Sequence, residues 1–205
     1  MVSDSKIFLA DWLWDHGTES MNLSHRIETP MNHVVGNALY GNCNINSRDH
    51  LTITRYLCLW RARFNVARTP FKSQNQESYP YTTVSKDTAE RMEKMGVPSS
   101  VDEVSHNRNQ NGAIVKAIYL RELENFRNKD HLKWVLLKSG ATDFLSSDCY
   151  FGMCIVPISP SLVFVLSTEK NDRELSMEEA KLVNQCSFNE RQNFVFGKNL
   201  DNCKF

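Results

Sequence analysis

The longest apolar run in this chain, Phe151 to Leu166, is broken by Pro157 and Pro160. With proline inside, it cannot continue as one helix, and it is too short to cross a bilayer, so it reads as two buried strands. The neighbouring sequence has the same texture. LKWVLLK (132–138), TDFLSS (142–147), MCIVPI (153–158) and LVFVL (162–166) are short apolar segments separated by Ser-Gly, Ser-Asp and Ser-Pro punctuation. Such spacing predicts an antiparallel meander. SMEEAKLVNQCS then predicts a helix capped by Ser176, with Glu179 completing a capping box, and NFVFG (193–197) is expected to close the sheet.

Upstream the period changes from two to 3.6. Residues 5–15 carry Ile7, Leu9, Trp12, Leu13 and Trp14 in a short helical pattern that Gly17 can end. A second helix is expected from Ser24 to Tyr40, kinked or begun anew at Pro30 and closed by Gly41. A third is expected from Arg48 to Phe64, capped by Ser47, with Ile53, Leu57, Trp60 and Phe64 as its core stripe. Residues 65–111 are polar and carry Pro70, Pro80 and Pro98, which reads as an irregular surface excursion, helical only from Lys86 to Met95. A last helix, 112–127, is apolar on nearly every side and is expected to be central. The fold class that follows is α+β: a mainly helical part, 1–130, packed on a small sheet with one late helix, 131–205, in a single domain of 1–205.

Composition excludes several function classes. Lys plus Arg and Asp plus Glu number 24 each, so net charge supports neither a nucleic-acid nor an acidic-membrane partner. The N-terminus lacks a basic region followed by an apolar stretch, which points to the cytoplasm, and no membrane span is expected. Six scattered cysteines form no zinc-ligand spacing and read as buried free thiols. No phosphate loop, nucleophile elbow, HExxH or kinase signature is present, and no metal or cofactor is expected.

Four constellations remain. Arg26 and His33, seven positions apart, return to one helix face and could hold and protonate an RNA phosphate, as in compact helical ribonucleases, although such a pair also arises by chance. Arg48, Arg55 and Arg63, continuing toward Arg61, Arg68 and Lys72 beside Tyr56 and Trp60, form a basic face that suits either a nucleic-acid or protein partner or ordinary surface ion pairs. Arg61, at the edge of the apolar stripe, is the one expected to be partly buried and paired. Asp148 at a strand end, with Ser159 in the following Pro-x-Ser-Pro corner, suits a catalytic base or ligand, or turn chemistry. Cys149 and Cys154, with His106 and His131 as bases, lie among aromatic neighbours that favour burial over nucleophilic use.

The elements Trp134, Ser147-Asp148, Pro157 to Pro160, Asn184 and Phe194-Val195-Phe196 resemble the end of a bacterial family known as domain of unknown function 4238. The resemblance is firmest over 132–200 and reaches back to 48, where DHLTITRYLCLWRAR is similar to a mid-chain helix ending in an arginine, Arg61 or Arg63. It implies a fold more than an activity. The family's opening segment, His-aromatic-hydrophobic-Pro with a longer helical lead, has no counterpart in MVSDSKIFLADWLWDHGTES. If that segment supplies active-site groups, the resemblance implies a copy that is inactive or binds rather than catalyses. The functional expectation is therefore a small intracellular binding or regulatory protein, encoded near mobile elements, with a protein or nucleic-acid partner. An enzyme centred on Asp148, Ser159 and a helix arginine is the alternative, and a metal-independent ribonuclease using Arg26 and His33 the next.

Overall fold

The computed structural model describes residues 25–42, 44–70, 87, 91, 103–127, 129, 131–168 and 171–205, with side chains of the 103–127 helix described from residue 110. The helix expected at 5–15, and nearly all of that expected at Lys86–Met95, lie outside the described residues. The element order is α1 (Thr29–Leu39), α2 (Ser47–Arg68), α3 (Glu103–Arg127), β1 (Lys133–Lys138), β2 (Ser146–Ser147), β3 (Ile155–Ser159), β4 (Leu162–Ser167), β5 (Arg173–Glu174), α4 (Met177–Glu190) and β6 (Val195–Phe196), then a 3-10 turn, Leu200–Asn202. The fold is α+β.

A π-type turn over 25–28 precedes α1, and Pro30 sits in the helix's first turn, where its missing N–H costs nothing. Gly41 ends it in the left-handed region at φ 76°, a conformation that side chains with a Cβ resist. For α2, the cap is Asn46 and not Ser47. The Asn46 side chain accepts from the amides of Arg48 (2.8 Å) and Asp49 (3.1 Å), and Asp49 Oδ2 accepts from the Asn46 amide, a complete capping box. The helix also runs past Phe64 to Arg68, and α3 begins at Glu103, so both ends of the presumed irregular excursion are helical.

Helix α3 is not central. Of its apolar residues Val115 is buried, whereas Leu120 is 62% exposed and Ile114, Ile118, Leu123 and Phe126 are only partly covered. One face packs on α2, in a cluster with Leu59, Ala62 and Val66, and with Ile27 from the turn before α1.

The sheet also departs from a plain meander. Its order is β3-β4-β1-β5, with β3–β4 and β4–β1 antiparallel but β5 parallel to β1. TDFLSS contributes only Ser146–Ser147 as strand, and this pairs with β6 in a separate two-stranded ribbon. NFVFG therefore does not close the main sheet. Strand β1 is buried from Trp134 to Leu137, on both faces, which is why it reads as a continuous apolar run without alternation. Met31 and Val34 of α1, Ile53 and Leu57 of α2, and Ala180 of α4 share one core with these residues and with Ile155, Val156, Val163 and Phe164. Helix α4 starts as expected, with Ser176 as cap and Glu179 reciprocating; Arg173 and the Ser176 amide hold the Glu179 carboxyl down at about 2.

Because β5 covers only Leu137 and Lys138, the rest of β1's outer edge needs other partners. The Leu136 amide donates to Asp172 Oδ1 (2.7 Å) and the Trp134 amide to His50 Nδ1 (3.1 Å) from α2. Thr54, one turn on, accepts from the Trp134 indole at 2.9 Å, so α2 docks on the sheet edge through His50 and Thr54. His50 must be neutral to accept. Burial, then Lys133, lowers its pKa from the ordinary value, against the opposing pull of Asp49 and Asp172. Since the unfolded chain then binds the proton more readily, stability should rise with pH from the lowered folded pKa up to about 6.5 and level off above it. In urea unfolding, His50→Gln, which retains an acceptor, should remove the part of the acid-side loss that belongs to this group; an unchanged pH dependence would show that the His50 contact does not matter.

Candidate functional site

Arg61 is the most deeply buried charge among the described residues, at 5% exposure. Its Nε donates to the Tyr150 carbonyl (2.5 Å), Nη2 to the Met153 carbonyl (3.1 Å), and Nη1 meets Glu122 of α3 at 3.4 Å, while the guanidinium lies 5.7 Å from the Phe126 ring centroid. The group is buried and paired, as its place at the edge of the apolar stripe suggested. Its donors are spent on the fold.

Asp148 is in the same position with the opposite sign. Its Oδ1 accepts from the Gln192 amide (2.9 Å) and its Oδ2 from the Asn193 amide (2.8 Å), with Phe194 N–H at 3.4 Å and Ser147 Oγ 3.4 Å from Oδ1. The carboxylate thereby ties the end of β2 to the segment leading into β6. Ser159 sits at the β3–β4 hairpin, accepting from the Ser161 amide at 3.2 Å, and no bond connects it to Asp148 or Arg61 among the described residues.

Nearby, Glu190 at the end of α4 gathers the amides of Phe151 (2.8 Å), Gly152 (2.9 Å) and Met153 (3.1 Å). A Cβ on Gly152 would stand 2.6 Å from Glu190 Oε1, so this approach requires glycine. Asn184 is wholly buried and uses its amide fully, accepting from Leu145 N–H (2.9 Å) and donating to the carbonyls of Asp143 (3.0 Å) and Lys204 (2.9 Å). The Tyr150 hydroxyl bonds Ser187 Oγ at 2.8 Å. Residues that stand out in the sequence, Asp148 and Asn184 among them, thus hold irregular backbone that no ladder satisfies.

Cys58 and Cys149 are buried thiols poorly disposed to ionise. Burial pushes Cys149 and Cys58 up to about 12, outweighing the pull of Arg61 on each. His131 is exposed, and the His106 side chain lies outside the described residues. No three or more His, Cys, Asp or Glu residues gather among the described residues as a metal site would require.

The basic face of α2 divides three ways. Arg61 is buried. Arg63 pairs with Glu28 at 2.5 Å, and Arg68 donates to Gln192 Oε1 at 3.2 Å. Arg48 and Arg55 instead line a partly enclosed cleft of about 150 Å³, together with Leu51 and Thr52 of the same helix, Arg26 and Ile27 of the 25–28 turn and Pro30 of α1. Arg26, Arg48 and Arg55 are exposed, and among the described residues no carboxylate lines the cleft and none of the three carries an ion pair. Arg55 also lies near Tyr119 of α3, where it opposes the burial that raises the phenol's pKa. His33 is exposed on α1 and is not among the residues lining the cleft, whereas Arg26 shares it with the α2 arginines. Sequence spacing places Arg48 and Arg55 on one helix face, but nothing local indicates that Arg26 faces them.

In comparisons with known proteins, the chain matches no family model, no curated protein and no solved structure. No described helix is long and apolar enough to cross a membrane.

Replacing the Asp148 carboxylate tests its part in the fold. Asp148→Asn turns an amide donor toward the 192–194 N–H groups and should cost about 2–3 kcal/mol in chemical unfolding. A variant as stable as the wild type would free Asp148 for another role. Cys58 and Cys149 should resist iodoacetamide at pH 8 in the native protein and react on unfolding, as peptide mapping by mass spectrometry would record.

Proposed function

We propose that this is a nucleic-acid-binding protein whose contact with the phosphate backbone is made by Arg26, Arg48 and Arg55. The observation that carries the reading is that these three arginines line one cleft without a carboxylate among its described lining residues. Surface arginines are ordinarily screened by acidic neighbours, as Arg63 is by Glu28, and three of them sharing one cleft concentrate positive charge there. Guanidinium forks match phosphate oxygens in pairs, which suits them to this ligand. Leu51, 43% exposed, and Tyr119 beside Arg55 offer apolar area against which a sugar or base can pack.

Binding ranks ahead of hydrolysis because neither a histidine nor a carboxylate is among the described residues that line the cleft. His33 is outside the cleft lining, and Thr52, the one hydroxyl there, already donates to the Arg48 carbonyl at 2.9 Å. Buried unpaired thiols fit a reducing compartment, and the cytoplasm is where such a protein would meet its partner.

Fluorescence anisotropy with a labelled single-stranded RNA, repeated across salt concentrations, tests the reading. Log K should fall linearly with log salt, by about 0.7 for each phosphate that the cleft neutralises. Arg48→Ala and Arg55→Ala should each weaken binding and flatten that dependence, whereas Arg68→Ala, outside the cleft, should change little. RNA and DNA that fail to bind at low salt, or binding that is indifferent to all three cleft arginines, would refute it.

A further inference from the structure

Resting on that reading, we infer that the cleft is an end-recognition site, taking the terminal phosphomonoester of a nucleic-acid strand in preference to an internal phosphodiester. Three features of the cleft lead there. The first is size: about 150 Å³ is well below the roughly 300–1,000 Å³ of pockets that swallow a whole small molecule, so the cleft suits a phosphate group whose nucleoside stays outside.

The second is charge. Arg26, Arg48 and Arg55 bring three positive charges with no carboxylate among the lining residues to offset them. A terminal phosphomonoester carries about −1.5 to −2 at pH 7 and offers three acceptor oxygens, whereas an internal diester brings a single charge on two free oxygens. The monoester is the better match to three guanidiniums, each presenting several N–H donors in a fixed plane. With the Thr52 hydroxyl engaged by the Arg48 carbonyl and no N–H on Pro30, the polar contacts to a guest fall to the arginines.

The third is shape. Arg48 and Arg55 stand seven residues apart on α2, about two turns and about 10 Å along its axis, and Arg26 joins them from a separate segment. The partly enclosed cleft is thus lined by two segments, with Ile27, Pro30 and Leu51 as its apolar residues. A chain end can enter such a space with one nucleoside trailing, but an internal phosphate must bring both of its neighbours past the walls.

The test uses the full chain and one oligonucleotide sequence in three forms: 5′-phosphorylated, 3′-phosphorylated, and with hydroxyls at both ends. One phosphorylated form should bind about tenfold or more tightly than the hydroxyl form, the difference expected from one added set of charge-assisted bonds. Millimolar inorganic phosphate should compete. The preference should vanish in Arg26→Ala and shrink in Arg26→Lys, which keeps the charge but loses the fork, with circular dichroism confirming the fold of each. It should also fall as pH drops below about 6, where the monoester gains its second proton. If all three forms bind equally and still depend on the arginines, end recognition is wrong while nucleic-acid binding stands. If no form binds but inorganic phosphate does, the cleft serves a small phosphate, and both readings fall.

Discussion

The arrangement of the molecule depends on one buried cation. Arg61 comes from the middle of α2, and its guanidinium is satisfied by the carbonyls of Tyr150 and Met153 together with Glu122 of α3. A charge at 5% exposure is costly to bury without partners, so helix α2, helix α3 and the loop before β3 must be in place together. Trp60, one residue earlier, donates its indole N–H to the Asp148 carbonyl at 3.0 Å and lies edge-on to Tyr150, so two consecutive α2 side chains hold the same loop. This orients α2, and α2 in turn presents Arg48 and Arg55 two turns apart at its outer end.

The C-terminal part follows the same logic with neutral and acidic groups. Between β1 and β3 the chain forms just two residues of strand, and between α4 and the C-terminus another two, so most backbone there has no ladder to join. Asn184, Asp148 and Glu190 provide the missing partners, each to two or more backbone groups distant in sequence, and the Tyr150 hydroxyl joins the Ser147 amide to Ser187. Buried polar groups this well satisfied specify one arrangement more sharply than apolar packing does.

How legible this was in the sequence depended on the range of the interactions. The Ser176–Glu179 capping box, the strands around Trp134, Ile155 and Val163, and the burial of Arg61 follow from neighbours within a few residues, and all are present. The cap of α2 was misread by one position because Ser47 and Asn46 are both competent, and the choice rests on Asp49 reciprocating. Helix α3 looked central because apolar residues encircle it, yet Leu120 stands in solvent; periodicity registers what a helix could bury and not what is there to cover it. The β2–β6 pairing and the cleft were illegible for a common reason: each joins segments far apart in the chain, Ser146 with Phe196 and Arg26 with Arg48 and Arg55, through a packing that only the whole fold decides.

The side chains that close the sheet also limit how the protein can meet others. At one border β5 covers two residues of β1, and the Trp134 and Leu136 amides beyond it are taken by His50 and Asp172. At the other, β3 carries Pro157, which has no N–H to offer, and its register with β4 shifts between Pro157 and Ser159. Neither border presents the unbroken row of donors and acceptors that an incoming strand requires. Among the described residues, neither border thus offers the main-chain template that β-augmentation of an extended peptide uses.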